Sequence, residues 1–141
     1  MRVLIVGCGR VGSRLASELS DQGHDVTVID RDQAKLNLAA ARGALDPATF
    51  KGNAVVGDGT DAEVLRRSGI EDADAFLALT EGDNRNIMAA QIAQHIFKVP
   101  RVVCRIYDPV REEVYRKLGL NTYCPTILGT QTVTKMIMEA G

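Results

Sequence analysis

The sequence predicts a doubly wound α/β fold: a parallel six-stranded sheet in the order 3-2-1-4-5-6 with helices on both faces. Three observations carry this expectation. Apolar strand-like runs alternate with helical patterns from one end of the chain to the other, the alternation expected of right-handed βαβ crossovers. A glycine-rich turn separates the first run from the first helix, and the second run ends on an acid.

The first run, Val3, Leu4, Ile5 and Val6, is continuously apolar, as in a strand (near 2–6) buried on both faces of a parallel sheet. The chain must then turn sharply into a helix near 10–22. At the turn Gly7, Gly9 and Gly12 fall in G-x-G-x-x-G register. In that register the glycines permit the tight turn, the close approach of a pyrophosphate and the close packing of helix on strand. Unpaired backbone N–H groups at the helix start suit an anion, so Gly7, Cys8, Gly9, Arg10, Val11 and Gly12 form a candidate phosphate loop. The second run, "VTVID" within a strand near 25–29, ends in Asp30, 18 residues after Gly12. That spacing is close to the ~20 residues expected of a carboxylate that holds a ribose hydroxyl pair. Strand, glycines, helix and acid together make a Rossmann-like nucleotide site the reading of this segment.

A helix near 32–42 follows, then "RGALDPATFKGN" (42–53), where Gly43, Pro47 and Gly52 predict an extended, mobile loop. The third strand, near 53–57, runs into "VVGDGTD", which brings Asp58, Gly59 and Thr60 to the carboxyl-end rim of the sheet. Asp61 is placed to cap a helix near 61–68 and Gly69 to end it. The fourth strand, near 74–79, leads through "LALTEGDN" to Thr80, beside the switch point between strands 1 and 4, and Asp83 is expected to cap a helix near 83–97. The fifth, near 101–106, carries Arg105 on the same rim, where a charge in so apolar a run needs a phosphate, a neighbouring acid or solvent. Asp108 and Pro109 read as cap and first-turn proline of a helix near 108–118 that stops at Gly119. A short strand near 120–123 and a helix near 126–139 complete the chain.

With 141 residues the chain is expected to be one domain (1–141), with a single core and no separate substrate domain. Its 17 basic and 18 acidic residues are intermixed for a net charge of −1, so no global field attracts nucleic acid or an anionic membrane, and no nucleic-acid partner is expected. No apolar stretch approaches the ~20 residues that span a bilayer, and the opening "MRVLIVG" reads as a strand, not a signal peptide; the expected location is cytoplasmic. Cys8, Cys104 and Cys124 are scattered, odd in number and without a CxxC, which excludes a disulfide framework and a zinc site and leaves them as small buried residues.

Catalytic candidates are sparse. His24 lies at the turn into the second strand, at the amino-end edge, and His95 on a solvated helix face; neither is near the expected crevice. No Ser-His-Asp set and no HExxH occurs, so no catalytic or metal residues are assigned. Arg10, a cation at a helix start, opposes the macrodipole unless a phosphate lies between them; the alternative is an arginine pointing to water. The last helix shows Ile127, Leu128, Val133, Met136, Ile137 and Met138 around much of its circumference, which fits either a fully packed helix or one that buries a second surface against a partner chain.

Read as a set, "GCGRVGSRLASEL", "VTVIDRD", "VVGDGTDAEVLRRSGI", "ALTEGDNRNIMAAQIA" and "RVVCRIYDPVREEVYRKLGL" resemble the RCK-type (TrkA-N, Ktr-type) nucleotide-binding regulatory domains of bacterial potassium-uptake systems, from residue 1 to 140. The resemblance implies a non-enzymatic regulatory subunit that binds NAD(H) or an adenine nucleotide (AMP, ADP or ATP). It implies assembly as a homodimer or an octameric ring, peripheral to the inner face of the membrane beneath a potassium-translocating subunit. Carried over by position, Gly7, Gly9, Arg10 and Gly12 would hold phosphates, Asp30 the ribose, Arg31 the adenine side, Asp58, Gly59 and Thr60 the base, Thr80 the crevice wall and Arg105 a phosphate. The last helix, 126–139, resembles the family's dimer crossover. Many relatives continue into a small C-terminal ligand domain, whereas this chain stops at Gly141, so no such domain is expected within it. Some ATP-responsive relatives also carry an acid after the proline that opens the last helix, implicated in a divalent-cation site. Here Pro125 is followed by Thr126, and no such site is expected.

The sensor expectation competes with two others. A small NAD-dependent oxidoreductase or nucleotide hydrolase would need a second reactant, and Asp30 would repel the 2′-phosphate of NADP, an exclusion that Arg31 weakens. A scaffold with vestigial binding would have no nucleotide affinity.

Overall fold

The computed structural model describes residues 1–139. Strands β1 (Arg2–Val6), β2 (Asp25–Asp30), β3 (Asn53–Val56), β4 (Ala75–Ala78), β5 (Arg101–Arg105) and β6 (Thr122–Tyr123) form one parallel sheet in the order β3-β2-β1-β4-β5-β6. Between them run helices α1 (Arg10–Asp21), α2 (Gln33–Ala41), α3 (Ala62–Arg67), α4 (Asp83–Gln91), α5 (Pro109–Lys117) and finally α6 (Pro125–Glu139). This is the expected topology, and each expected element is present to within a few residues.

Strand alternation sorts the core into two layers. Val3, Ile5, Val26 and Val28 face one side, with Ala16 of α1 and Leu36 and Ala39 of α2. Leu4, Val6, Ile29, Phe76 and Ala78 face the other, with Leu65, Ile87, Ala89 and Ala90 of α3 and α4. Both faces are covered, which is why β1 reads as an unbroken apolar run rather than an alternating one.

Local punctuation is as the side chains dictate, with one exception. Asp32, Asp61 and Asp108 each accept a hydrogen bond from the backbone N–H two residues on, capping α2, α3 and α5. Asp83 does not cap α4. Gly82 occupies the cap position, and the Asp83 carboxylate, one residue inside, accepts instead from the N–H groups of Tyr107 (2.8 Å) and Asp108 (3.1 Å). Those two amides follow β5 and have no strand partner, so they compete successfully for the acid. The last turn of α4 widens into a π-helical segment, Ile92–Ile96, closed by Lys98 at φ 54°. The segment 42–53 is tied down rather than loose: Leu45 is buried, Phe50 packs on the α1/α2 layer, and Lys51 N–H donates to Ser20 Oγ at 3.4 Å.

Candidate functional site

The first crossover is built around two close approaches. Gly7 has φ 112°, and a Cβ there would lie 2.6 Å from the Leu79 carbonyl at the end of β4. A Cβ at Gly12 would overlap the Gly7 carbonyl oxygen, so glycine lets α1 seat directly against the turn. The result is a helix whose first amides point at the carboxyl ends of the strands. Gly9 caps α1 without a side-chain hydrogen bond, as Gly82 does for α4. The other α-helices between strands have aspartate caps, so the two glycine-capped α-helix starts are those on either side of the switch point between β1 and β4.

An open crevice with a cavity volume of about 180 Å³ lies at this switch point. Gly7, Asp30, Arg31, Asp58, Gly59, Thr60 and Thr80 line it, seven of the residues that sequence reasoning singled out. Asp30 is buried at the tip of β2, where Cys8 N–H donates to its Oδ2 and Asp32 N–H to its Oδ1, both at 2.8 Å. Each carboxylate oxygen keeps lone-pair capacity for a further donor, as two vicinal hydroxyls would provide. The Cys8 bond ties the acid to the glycine turn after the neighbouring strand, and the Asp32 bond fixes its other oxygen.

At the rim just after β3, the Thr60 N–H (2.9 Å) and Oγ1 (2.7 Å) both donate to Asp58 Oδ1. These bonds, with a smaller contribution from the nearby Arg31 charge, hold the Asp58 carboxyl below its usual range. On the far wall, Thr80 N–H and Oγ1 donate to Asn86 Oδ1 at 2.8 and 2.6 Å.

The remaining expected residues lie elsewhere. Cys8 contributes its amide to Asp30 while its thiol is buried; burial first, and then the Asp30 charge, push that thiol up to about 11. Val11 is exposed on the first turn of α1. Arg10 lines an outer groove with Cys8, Gly9, Ser13, Lys35 and Arg42, on the α1/α2 side of the loop, rather than the crevice itself. Arg105 is also outside the lining: its Nη2 donates to the carbonyls of Leu79 and of Thr80 (2.9 Å), and its guanidinium lies 5.0 Å over the Tyr107 ring. Backbone carbonyls and an aromatic face thus accommodate its charge, an alternative absent from the sequence reading. Cys104 and Cys124 are buried as expected, His24 Nδ1 lies 2.9 Å from the Met1 amine at the opposite edge of the sheet, and His95 is exposed.

Glu81 and Gly82, in the loop after Thr80, line the crevice as that loop's position at the switch point predicts, whereas the charged lining residues Lys35 and Arg85 were not singled out from the sequence. Lys35 Nζ and Glu81 Oε1 form an ion pair at 3.3 Å between α2 and the β4–α4 connection, across the mouth of the crevice. Glu81 is largely exposed, so the pair is readily exchanged for a stronger anion. Arg85 has no acidic partner among the described residues. Its signal in the sequence was its place in the first turn of a helix that opens on the rim, the same signal that marked Arg10. Among the described residues no group of three or more His, Cys, Asp or Glu side chains could hold a metal ion, and no helix is long and apolar enough to cross a membrane.

Comparison with known proteins follows this geometry. The family model described as the TrkA-N domain matches residues 3–125. The chain is 43% identical over 141 residues to the Trk system potassium uptake protein TrkA of Streptomyces coelicolor, covering 100% of this chain and 60% of that protein. It spans about half to three-fifths of the length of some curated relatives and about a fifth of others. Among solved structures, the GsuK RCK domain superposes with a TM-score of 0.78 at 21% identity, over 99% of this chain and 28% of that one. The Kef CTD of Shewanella denitrificans, solved with AMP bound, superposes with a TM-score of 0.70 at 20% identity, over 96% of this chain and 82% of that one. These two likenesses concern the fold.

Proposed function

Since the chain belongs to the TrkA-N domain family, we propose that it is the nucleotide-sensing part of a regulatory subunit that controls a potassium transporter or channel. Its ligand is NAD(H) or an adenine nucleotide, held in the crevice at the switch point. The observation that carries this reading is Asp30, fixed by the Cys8 amide beside a glycine-capped helix start, so that an acid suited to a sugar stands next to free amides suited to a phosphate. Gly7 and the α1 amides take the phosphates, Asp30 the ribose, and Arg31, Asp58, Gly59 and Thr60 the base, with Thr80 as the facing wall. Arg10 and Arg105 are the less direct members: Arg10 reaches a phosphate only by crossing from the outer groove, and Arg105 only by giving up carbonyl partners.

Regulation without turnover is supported by how the crevice acids are used. Asp30, Asp58 and Glu81 are each engaged by the chain's own amides, hydroxyl or ammonium, which holds loops in place rather than freeing a base for proton transfer. The transmembrane partner is proposed from the Trk naming of the relatives, and a location at the inner membrane face goes with it. A second copy of this chain is proposed to cover α6, whose exposed apolar residues have no cover among the described residues. A ring of such dimers extends the same proposal.

Calorimetric titration with NAD, NADH, AMP, ADP and ATP tests the reading. At least one is expected to bind saturably, with affinity falling about tenfold or more in Asp30→Asn, as the loss of a charge-assisted hydrogen bond requires. Silence toward all five favours a scaffold, and steady turnover of the bound nucleotide after rigorous purification favours an enzyme.

A further inference from the structure

Helix α6 is held by its first turn. None of its side chains is buried among the described residues. Thr126 Oγ1 donates to the Tyr107 carbonyl at 2.7 Å, and Cys124 Sγ, just before the helix, reaches the same oxygen at 3.7 Å. The direction of this 15-residue helix is therefore set where Tyr107 sits. At about 22 Å long, it turns a small tilt at its base into a displacement of several ångströms at its tip.

Tyr107 is held in turn from the crevice side. Its N–H donates to Asp83, the residue after Gly82 of the crevice lining. Asn86, on the first turn of α4, has no exposed surface and uses both ends of its amide. Its Oδ1 accepts from Thr80 N–H and Oγ1, while its Nδ2 donates to the carbonyls of Thr80 (2.9 Å) and Arg105 (3.0 Å). The Arg105 guanidinium grips the same Thr80 carbonyl from above and stacks on Tyr107. Its Nε is buried with no acceptor, a donor that a displaced carbonyl can take up. A chain of contacts thus runs from Thr80, in the crevice, through Asn86 and Arg105 by hydrogen bonds, across the Arg105–Tyr107 stack, and on to Thr126.

We propose that Asn86 is the positioning residue that ties the crevice wall to α6, so that a ligand contacting Thr80 resets the direction of the last helix. Asparagine suits the role because it accepts and donates at once; aspartate offers nothing to the two carbonyls, and leucine nothing to either side. The proposal takes its input from the nucleotide reading above, but the mechanical tie is present without ligand. That separates the two in experiment.

Amide hydrogen exchange of residues 128–131 in the full chain is the readout, with exchange in α1 as the control for global stability. Without ligand, Thr80→Val is expected to speed α6 exchange about fivefold, the lower end of ordinary coupling between sites, while α1 is unchanged. With ADP as probe, wild type and Thr126→Ser should show an α6 response of similar size, and Thr126→Val, which lies outside the crevice, should bind ADP as wild type does yet lose that response. Indifference of α6 to Thr80→Val, or a full ADP response in Thr126→Val, overturns the proposal. If ADP does not bind, the nucleotide reading is in question, and the ligand-free comparison still decides the tie.

Discussion

At the scale of single residues, the site is a set of acids whose lone pairs are partly committed to the chain itself. Asp58 is the clearest case, since its ionised form accepts two bonds from Thr60. A carboxyl held below its usual range contributes stability that is present above the ordinary carboxylate pKa and fades as pH falls through the folded value. Thr60→Val removes the hydroxyl bond but keeps the backbone one, so the Asp58 carboxyl is expected to titrate closer to its ordinary value, and the stability difference from wild type should vanish toward acid. Carboxyl-carbon NMR titration of both proteins checks this; an unmoved Asp58 contradicts it. Residue-scale legibility was uneven. Asp30 was readable because the acid that ends the second strand of such a unit has a fixed spacing from the glycines. Arg105 was not, because a guanidinium can be accommodated by any cluster of carbonyls, and which carbonyls gather around it is a matter of strands 4 and 5 lying side by side.

Elements form where local chemistry and burial agree. Asp108 accepts from Val110 N–H at 3.0 Å, Pro109 follows at the first helical position, and Arg116 and Lys117 close the last turn of α5, so local signals and the macrodipole point the same way. Asp108→Ala should destabilise the chain by about 1 kcal/mol, read as a lower midpoint in thermal unfolding; no change would mean that packing alone sets the start of α5. Helix α4 shows the opposite balance. Its acid at Asp83 carried the sequence signature of a cap, yet glycine holds that position, and the acid satisfies two amides that lie 24 and 25 residues away in sequence. Local rules assign a capping residue to the nearest free N–H groups, whereas the sheet brings other unpaired amides within equal reach.

For the whole molecule, the sheet and five helices close two core layers, and α6 is left with Leu128, Val133, Met136, Ile137 and Met138 exposed. Several large apolar side chains together on one element mark a surface that another chain covers. In sedimentation equilibrium the chain is expected to be a dimer, and Ile137→Asp, with Ile137 67% exposed here, should weaken association about tenfold or more, because burying a charge without a partner costs at least a few kcal/mol. A wild-type monomer at micromolar concentration would contradict this. Periodicity left α6 open between a packed helix and one with a second surface; the structure removes the first choice within a single chain.

The order of strands, the glycine turn, the acid that ends the second strand and most helix ends were determined by the sequence itself, because each depends on residues within one βαβ unit and on steric rules that act over a few bonds. The tertiary structure decided which side chains meet across units: Lys35 with Glu81 over the crevice mouth, Arg10 on the outer groove, Arg105 on the carbonyls of Leu79 and Thr80 just after β4, and Asn86 between Thr80 and β5. Those contacts arise from the packing of elements far apart in the chain, where a long polar side chain takes whichever partner the assembled sheet presents.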